Sequence, residues 1–288
     1  MKKILMIGTG GTIASRATSN GLDPQMTLDE ILTYIPDIAK ICDVDTIQIC
    51  NIDSTNISPE HWIMLVNTIR ENYDKYDGFV ICHGTDTMAY TAAALSYMVQ
   101  NSAKPILLTG AQKPINKESS DSKINLFDSF LYATFDGTSG VQIVFNGKVI
   151  LGTRARKTRT KSFQSFSSIN YPYLAVIQDG HIIQYINLAK AEAPVFYDTL
   201  NTKVGLFKLT PGAEADVLSY MLERNDAVII ESYGVGGIPS MPQYHYLEVI
   251  QDWIAKGKTV VMTTQVPNEG SDMNVYKVGY NLKSKVPI

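Results

Sequence analysis

Cysteine is scarce in this chain of 288 residues: Cys42, Cys50 and Cys82 are all it holds. An odd, sparse set of thiols at no metal-ligand spacing excludes a disulfide framework and fits a reducing compartment. Long apolar runs are missing as well. A membrane span needs ~18 or more consecutive apolar residues, and no run approaches that. The apolar stretch Ile4 to Ile7 after Lys2 and Lys3 is too short for the core of a secretory leader, so a cytoplasmic protein is expected. Charged residues make up 18 % with a net charge of −3. That balance argues against nucleic-acid and anionic-membrane partners. The four histidines, His61, His83, His181 and His245, are scattered, with no paired-ligand spacing. No metal and no cofactor is expected.

What is present is a globular composition, 45 % apolar, with enough material for a large core. Short apolar strands alternate with helical stretches. Ile4–Ile7, Thr46–Ile52, Phe79–Cys82 and the "PILLTG" stretch read as strands. Thr27 and Glu30 form a capping box for a helix that Pro36 stops. Ser58-Pro59 opens a second helix running to about Tyr73. Further helices are expected over Ala89–Val99 and about Asn125–Tyr132, and Asn146-Gly147 marks a hairpin. The pattern predicts an α/β fold with a mainly parallel sheet flanked by helices, flavodoxin-like. Residues 186–202 lack a period and read as a linker. A smaller Rossmann-like α/β pattern follows over 203–288, with a helix capped at Thr210-Pro211 and another from about Tyr244. The expected division is 1–185, a linker at 186–202, and 203–288.

The chemistry concentrates where strands end. Gly8-Thr9-Gly10-Gly11-Thr12, His83-Gly84-Thr85-Asp86-Thr87 and Thr109-Gly110-Ala111 all close strands with small and hydroxylated residues, as does Asp53-Ser54-Thr55. In an open parallel sheet the carboxyl ends of strands line the ligand crevice, so the four are expected to converge. A phosphate cradle fits poorly. The dinucleotide fingerprint fails at Ile13, and no G-K-[ST] closes a P-loop. The competing reading is a threonine nucleophile. Thr12 would sit at a strand end between the N–H groups of Gly11 and Ile13, which can stabilise an oxyanion. A hydroxyl needs a base to become a nucleophile. A desolvated lysine near Thr85, steadied by Asp86, would supply one. The bland alternatives are a tight turn for "TGGT" and an Asp N-cap for "HGTDT". His83 is read as a packed, hydrogen-bonded histidine. Of Arg154, Arg156, Lys157, Arg159 and Lys161, only Lys157 is expected to be buried; the rest read as a solvated face.

"TGGTIA" (9–14) and "HGTDTMAYTA" (83–92) resemble the paired motifs of the bacterial-type L-asparaginase family. "LTGAQKP" (108–114), "FNGKVILGTRARKTRTKSFQSF" (145–166), "SYGVGGIP" (232–239) and "TTQ" (263–265) are similar to it too. The wording of the second motif resembles the cytoplasmic type I branch. The resemblance implies hydrolysis of L-asparagine to aspartate and ammonia through an acyl-enzyme on threonine. Matched residue by residue, Thr12 takes the place of the first nucleophile, and Thr85, Lys157 and Asp86 form a second constellation. Ser54 matches the residue that holds the substrate α-carboxylate, and Asp86 also faces the α-ammonium. Gly11, Asp53, Thr55, Gly84 and Ala111 match further pocket positions. Asp272 matches an acidic residue that reaches the substrate from a neighbouring subunit, which implies a homodimer or homotetramer with active sites at the subunit interface.

Two departures stand out. The family places a tyrosine in the loop after "TGGTIA". Here "SRATSNGLDPQMT" has none, and Leu22 takes the nearest matching place, leaving the base for Thr12 open. The second domain also stops short at Ile288 relative to the family pattern. A glutaminase-asparaginase, an amidotransferase component acting on charged tRNA, and a catalytically impaired asparagine-binding homologue are the alternative readings.

Overall fold

The first strand, β1 (Lys2–Gly10), is buried from Ile4 to its end. Successive side chains of a strand point to opposite faces, so Ile4 and Met6 enter one core and Leu5 and Ile7 the other. A strand that is apolar on both sides belongs inside a helix-covered parallel sheet. The computed structural model describes residues 1–19, 21–189, 193–272 and 274. It divides into two units, Met1–Leu200 and Asn201–Ile288.

After β1 the chain forms a small hairpin, β2 (Ser15–Thr18) and β3 (Gly21–Pro24), and a short helix, α1 (Leu28–Leu32). The Thr27–Glu30 capping box is present on both sides, with the Glu30 amide donating to Thr27 Oγ1 at 3.2 Å. The helix ends at Leu32, before Pro36, which opens a 3-10 turn, Pro36–Lys40. Then come β4 (Cys42–Ile52), α2 (Pro59–Asn72), β5 (Gly78–Cys82), α3 (Met88–Met98), β6 (Val99–Gln100), β7 (Pro105–Thr109) and α4 (Ser122–Thr134). β8 (Gly140–Phe145) and β9 (Lys148–Leu151) form the hairpin expected at Asn146-Gly147, both residues at positive φ as a type I′ turn requires. β10 (Ala155–Lys157) pairs with β11 (Phe166–Ser168) as a separate ribbon. β12 (Ala175–Gln178) and β13 (His181–Gln184) complete the main sheet.

That sheet has eight strands among the described residues, in the order β13-β12-β9-β8-β7-β5-β1-β4. β4, β1, β5, β7 and β8 run parallel, and β9, β12 and β13 each run antiparallel to the strand before them in the sheet. α4 covers one face through Leu126, Phe130 and Ala133, while α2 and α3 cover the other through Leu65, Ile69, Leu95 and Met98. Burying a side chain of this size stabilises by about 1.5–3 kcal/mol, so the two apolar faces hold the strand ends in fixed register. The stretch read as a linker carries β14 (Val195–Phe196), which pairs with β6, and Asp198, which accepts from Arg70 at 2.8 Å. These two contacts tie it to the first unit.

The second unit has three parallel strands, β15 (Val204–Lys208), β16 (Ala227–Ser232) and β17 (Thr259–Thr264), with helices α5 (Ala215–Arg224) and α6 (Tyr246–Ala255). Phe207, Leu218, Leu222, Ile230 and Ile250 form its core. α5 starts later than Thr210-Pro211, with Glu214 at its N-cap, because Thr210 instead accepts the Ala213 amide in a turn. Residues 275–288, including the final "YKVGYNLKSKVPI", lie outside the described residues, as do 20 and 190–192.

Candidate active site

The carboxyl ends of β4, β1, β5 and β7 meet along one edge of the sheet, backbone against backbone. Gly11 leaves β1 at φ 81°, and a Cβ placed on it would fall 2.5 Å from the Gly84 nitrogen. A Cβ on Gly84 would fall 2.6 Å from Ser54 Oγ, and one on Gly110 would strike the His83 carbonyl. Glycine is needed because the loops approach closer than any side chain permits. Hydrogen bonds fix the same arrangement: Gly11 N–H to the Ile52 carbonyl at 3.0 Å, His83 N–H to the Thr109 carbonyl at 2.8 Å, and Thr87 Oγ1 to the Ser54 carbonyl at 2.7 Å. Gly11 N–H is thus spent on Ile52 and is not the free oxyanion donor expected of it. The β1–β4 pairing runs on past the bulge at Gly8–Gly10 and claims that amide.

Thr12 opens a 3-10 turn, Thr12–Ala14, whose Ile13 and Ala14 are buried. Thr12 itself is half-buried, and its side chain makes no hydrogen bond among the described residues. Thr85, one residue beyond Gly84, is buried, and the Lys157 ammonium donates to its Oγ1 at 2.8 Å. The same nitrogen donates to Asp86 Oδ1 at 2.6 Å. The lysine side chain is 16 % exposed and the carboxylate 57 %, so one end of the pair is sheltered and the other faces water. Asp86 does not cap α3. Thr87 holds that position, and the Asp86 carboxylate is drawn to the lysine.

Lys157 reaches this edge on β10. Its partner Phe166 packs against Phe145 of β8 with ring centroids 5.1 Å apart, anchoring the ribbon to the sheet. Gln112 Nε2 also bonds to Ser165 Oγ, joining the ribbon to the loop after β7. Arg154, Arg156, Arg159 and Lys161 are exposed, so Lys157 is the one cation of the five that is turned inward.

The remaining nominated residues divide. Ser54 is buried and touches Gly84 closely, as described, and Ala111 is buried at the end of β7. Asp53 and Thr55 are exposed and engage each other, the Asp53 carboxylate accepting from both Thr55 N and Thr55 Oγ1 at 2.8 Å. Asp272 lies in the second unit, where its Oδ1 accepts from the amide and the side chain of Asn274.

His83 is fully buried. Its Nδ1 sits 2.7 Å from the Gly84 carbonyl, so that nitrogen carries the proton, and Nε2 accepts from Thr91 Oγ1 at 2.9 Å. Trp62 Nε1 in turn donates to Thr91. Burial pushes the imidazole pKa down to about 4. A neutral ring with both nitrogens engaged is a packing element that holds the Gly84 turn.

Asp121 and Asn125 were missed in the sequence. The Asp121 carboxylate accepts from the amides of Gln112 and Lys113 at 3.0–3.1 Å, pinning the loop after β7. Asn125 donates to the Gly110 carbonyl at 2.9 Å and accepts from Asn146 N–H at 2.8 Å. The available signal was an acidic residue at a helix start, with an amide side chain one turn on.

The family model "Asparaginase, N-terminal" matches residues 3–189, and "Glutaminase/Asparaginase C-terminal domain" matches 203–287. This chain belongs to the asparaginase family. Its relatives in that family include the L-asparaginase of Thermococcus kodakarensis, 39 % identical over 282 residues, covering 96 % of this chain and 84 % of that one. The solved structure of that thermostable enzyme superposes with a TM-score of 0.90 over 99 % of this chain and 87 % of its own. L-asparaginase I of Vibrio cholerae, 31 % identical, superposes at 0.83 over 92 % and 81 %. A component of the Glutamyl-tRNA(Gln) amidotransferase of Methanococcus maripaludis is 32 % identical over 303 residues, covering 99 % of this chain and 71 % of that component. Both strand ends that carry Thr12 and Thr85 fall inside the asparaginase N-terminal match.

Proposed function

We propose that this protein hydrolyses the side-chain amide of L-asparagine to L-aspartate and ammonia. The observation that carries the reading is the Thr85–Lys157–Asp86 cluster, standing beside the Gly11–Gly84 contact that brings the Thr12 turn to the same edge. Thr12 Oγ attacks the amide carbon, the carbon–nitrogen bond breaks, and ammonia leaves with one added proton. A water then cleaves the resulting ester and releases aspartate, restoring the hydroxyl. Lys157 and Thr85 activate the hydroxyl or water, and Asp86 receives the substrate α-ammonium. A substrate cation at Asp86 competes with Lys157 for that carboxylate, which frees the lysine for proton transfer. Ser54 and the Gly84 turn supply hydroxyl and amide donors to the α-carboxylate.

No tyrosine stands in residues 15–27, so the Thr85–Lys157 pair carries more of the proton transfer on this reading. Asp272 contributes from a neighbouring subunit, so the active form is a homodimer or homotetramer. Three free thiols support a cytoplasmic setting. Among the described residues no helix is long and apolar enough to cross a membrane. The "Glutaminase/Asparaginase" match to residues 203–287 favours one second reading, a mixed specificity that includes glutamine. A methylene more or less is worth only ~1–3 kcal/mol in discrimination.

A coupled ammonia assay on asparagine and glutamine, run beside Thr12→Ala and Thr85→Ala, tests the proposal. Ammonia release from asparagine, lost in both variants, is expected. Natively folded protein that releases none, or a Thr12→Ala variant at the parent rate, overturns it. Sedimentation with activity tests the role of Asp272, since an active monomer excludes it.

A further inference from the structure

Away from the strand ends carrying Thr12 and Thr85, a cleft of about 580 Å³ opens between α4, the Pro36–Lys40 turn, and the β8–β9 and β12–β13 turns. Its walls are apolar, formed by Tyr34, Ile124, Phe127 and Ile177, and its size is that of a small-molecule site. One carboxylate lines it from the helix. Asp128 is 6 % exposed and makes no hydrogen bond or ion pair among the described residues. Its helix neighbours Asn125 and Ser129 are both bonded. A buried charge without a partner is costly, and proteins keep such groups where a ligand uses them.

We propose that this cleft binds a small organic ammonium ion with an apolar body, Asp128 being its counter-charge. The sign follows from the lining. Asp179 adds negative charge at the rim, where Asp37 is paired with Lys40 at 2.6 Å, and the cation of the lining is Lys123, whose amine lies over the Tyr34 ring at 5.8 Å. Tyr34, Asp37, Lys123, Asp128 and Asp179 are the titratable groups facing the cleft. The ring of Phe127 and the branched chains of Ile124 and Ile177 suit an aromatic or aliphatic body. Burial also pushes the Asp128 carboxyl up to about 7, so an entering cation favours its ionised form. Affinity is therefore full above neutrality and falls roughly tenfold per pH unit below it.

The probe is phenethylammonium, titrated into the full chain and read on the methyl resonances of Ile124 and Ile177. 2-Phenylethanol and phenylacetate serve as uncharged and oppositely charged counterparts. The amine stays protonated from pH 5 to pH 8, so the profile reports on the protein. Binding about 100-fold weaker at pH 5 than at pH 8 is expected, with the alcohol and the acid at least tenfold weaker than the amine at pH 8. Asp128→Asn removes a desolvated charge and should fold at least as well; it is expected to abolish the pH dependence and weaken amine binding. Methyl shifts absent at millimolar amine, equal binding of the alcohol, a flat wild-type pH profile, or full affinity in folded Asp128→Asn each overturn the proposal. The wild-type profile decides even if the variant fails to fold.

Discussion

Replacing Gly11 by alanine puts the convergence of strand ends to the test. Gly11 adopts φ 81° and ψ −178°, a region open essentially to glycine alone, and holding another residue there costs about 1–3 kcal/mol. The new Cβ would lie 2.5 Å from the Gly84 nitrogen, and the Gly84 Cα is nearer still. Both are backbone atoms, so neither can swing aside. Reaching ordinary contact at 3.4 Å requires the two loops to part by about 1 Å. Overpacking of this kind adds about 1–3 kcal/mol, giving roughly 2–6 kcal/mol in all. For a unit of this size each kcal/mol lowers Tm by about 2–4 °C, so a fall of roughly 5–20 °C is expected. The same parting separates Thr12 from Thr85, and a misplacement of about 1 Å costs on the order of 100-fold in rate. Circular dichroism melting and saturating-substrate ammonia release measure the two. Gly212→Ala is the control: φ is 87° with nothing within 4 Å, so it carries strain without collision and should leave kcat unchanged. A Gly11→Ala protein melting within about 2 °C of the parent with kcat intact would refute the idea that this backbone contact holds the site.

Lys157→Met is expected to lower kcat by ~10²–10⁴, and adding Thr85→Val should cost little more, because the two act as a unit; multiplicative losses in steady-state kinetics would contradict this. His83, held neutral with its pKa near 4 against ~6.5 unfolded, contributes stability that is complete above pH 6.5 and is lost as pH falls toward 4, about 3 kcal/mol in total. Urea midpoints for wild type and His83→Gln across that range isolate this slope, and parallel profiles would rule it out. Asp121→Ala strands the amides of Gln112 and Lys113, each unsatisfied donor costing ~1–3 kcal/mol; chemical denaturation showing less than about 1 kcal/mol of loss would mean that the carboxylate does not hold the loop.

Local chemistry made several elements legible. Thr27 and Glu30 satisfy each other within one turn, and Asn146-Gly147 needs positive φ at both positions, so each could be read without knowing the rest of the fold. The strand ends at Gly11, Gly84 and Gly110 were legible as a set, since small residues close four strands of one sheet. What stayed hidden depends on contacts far apart in sequence. Asp121 and Asn125 look like ordinary helix residues until the loop from β7 is laid against them. The β2–β3 hairpin has no apolar alternation, because its side chains past Ser15 are largely exposed. Val195–Phe196 pairs with a strand nearly a hundred residues earlier, which no local period can signal. Asp86 had two competing partners, the helix start and Lys157, and the fully charged one prevailed.

The ribbon of β10 and β11 bears on how the protein is made. Lys157 follows Thr85 by 72 residues, and the parallel core of the sheet is complete before it is reached. During synthesis every strand end that carries one of these hydroxyls therefore leaves the ribosome before the amine that it will meet.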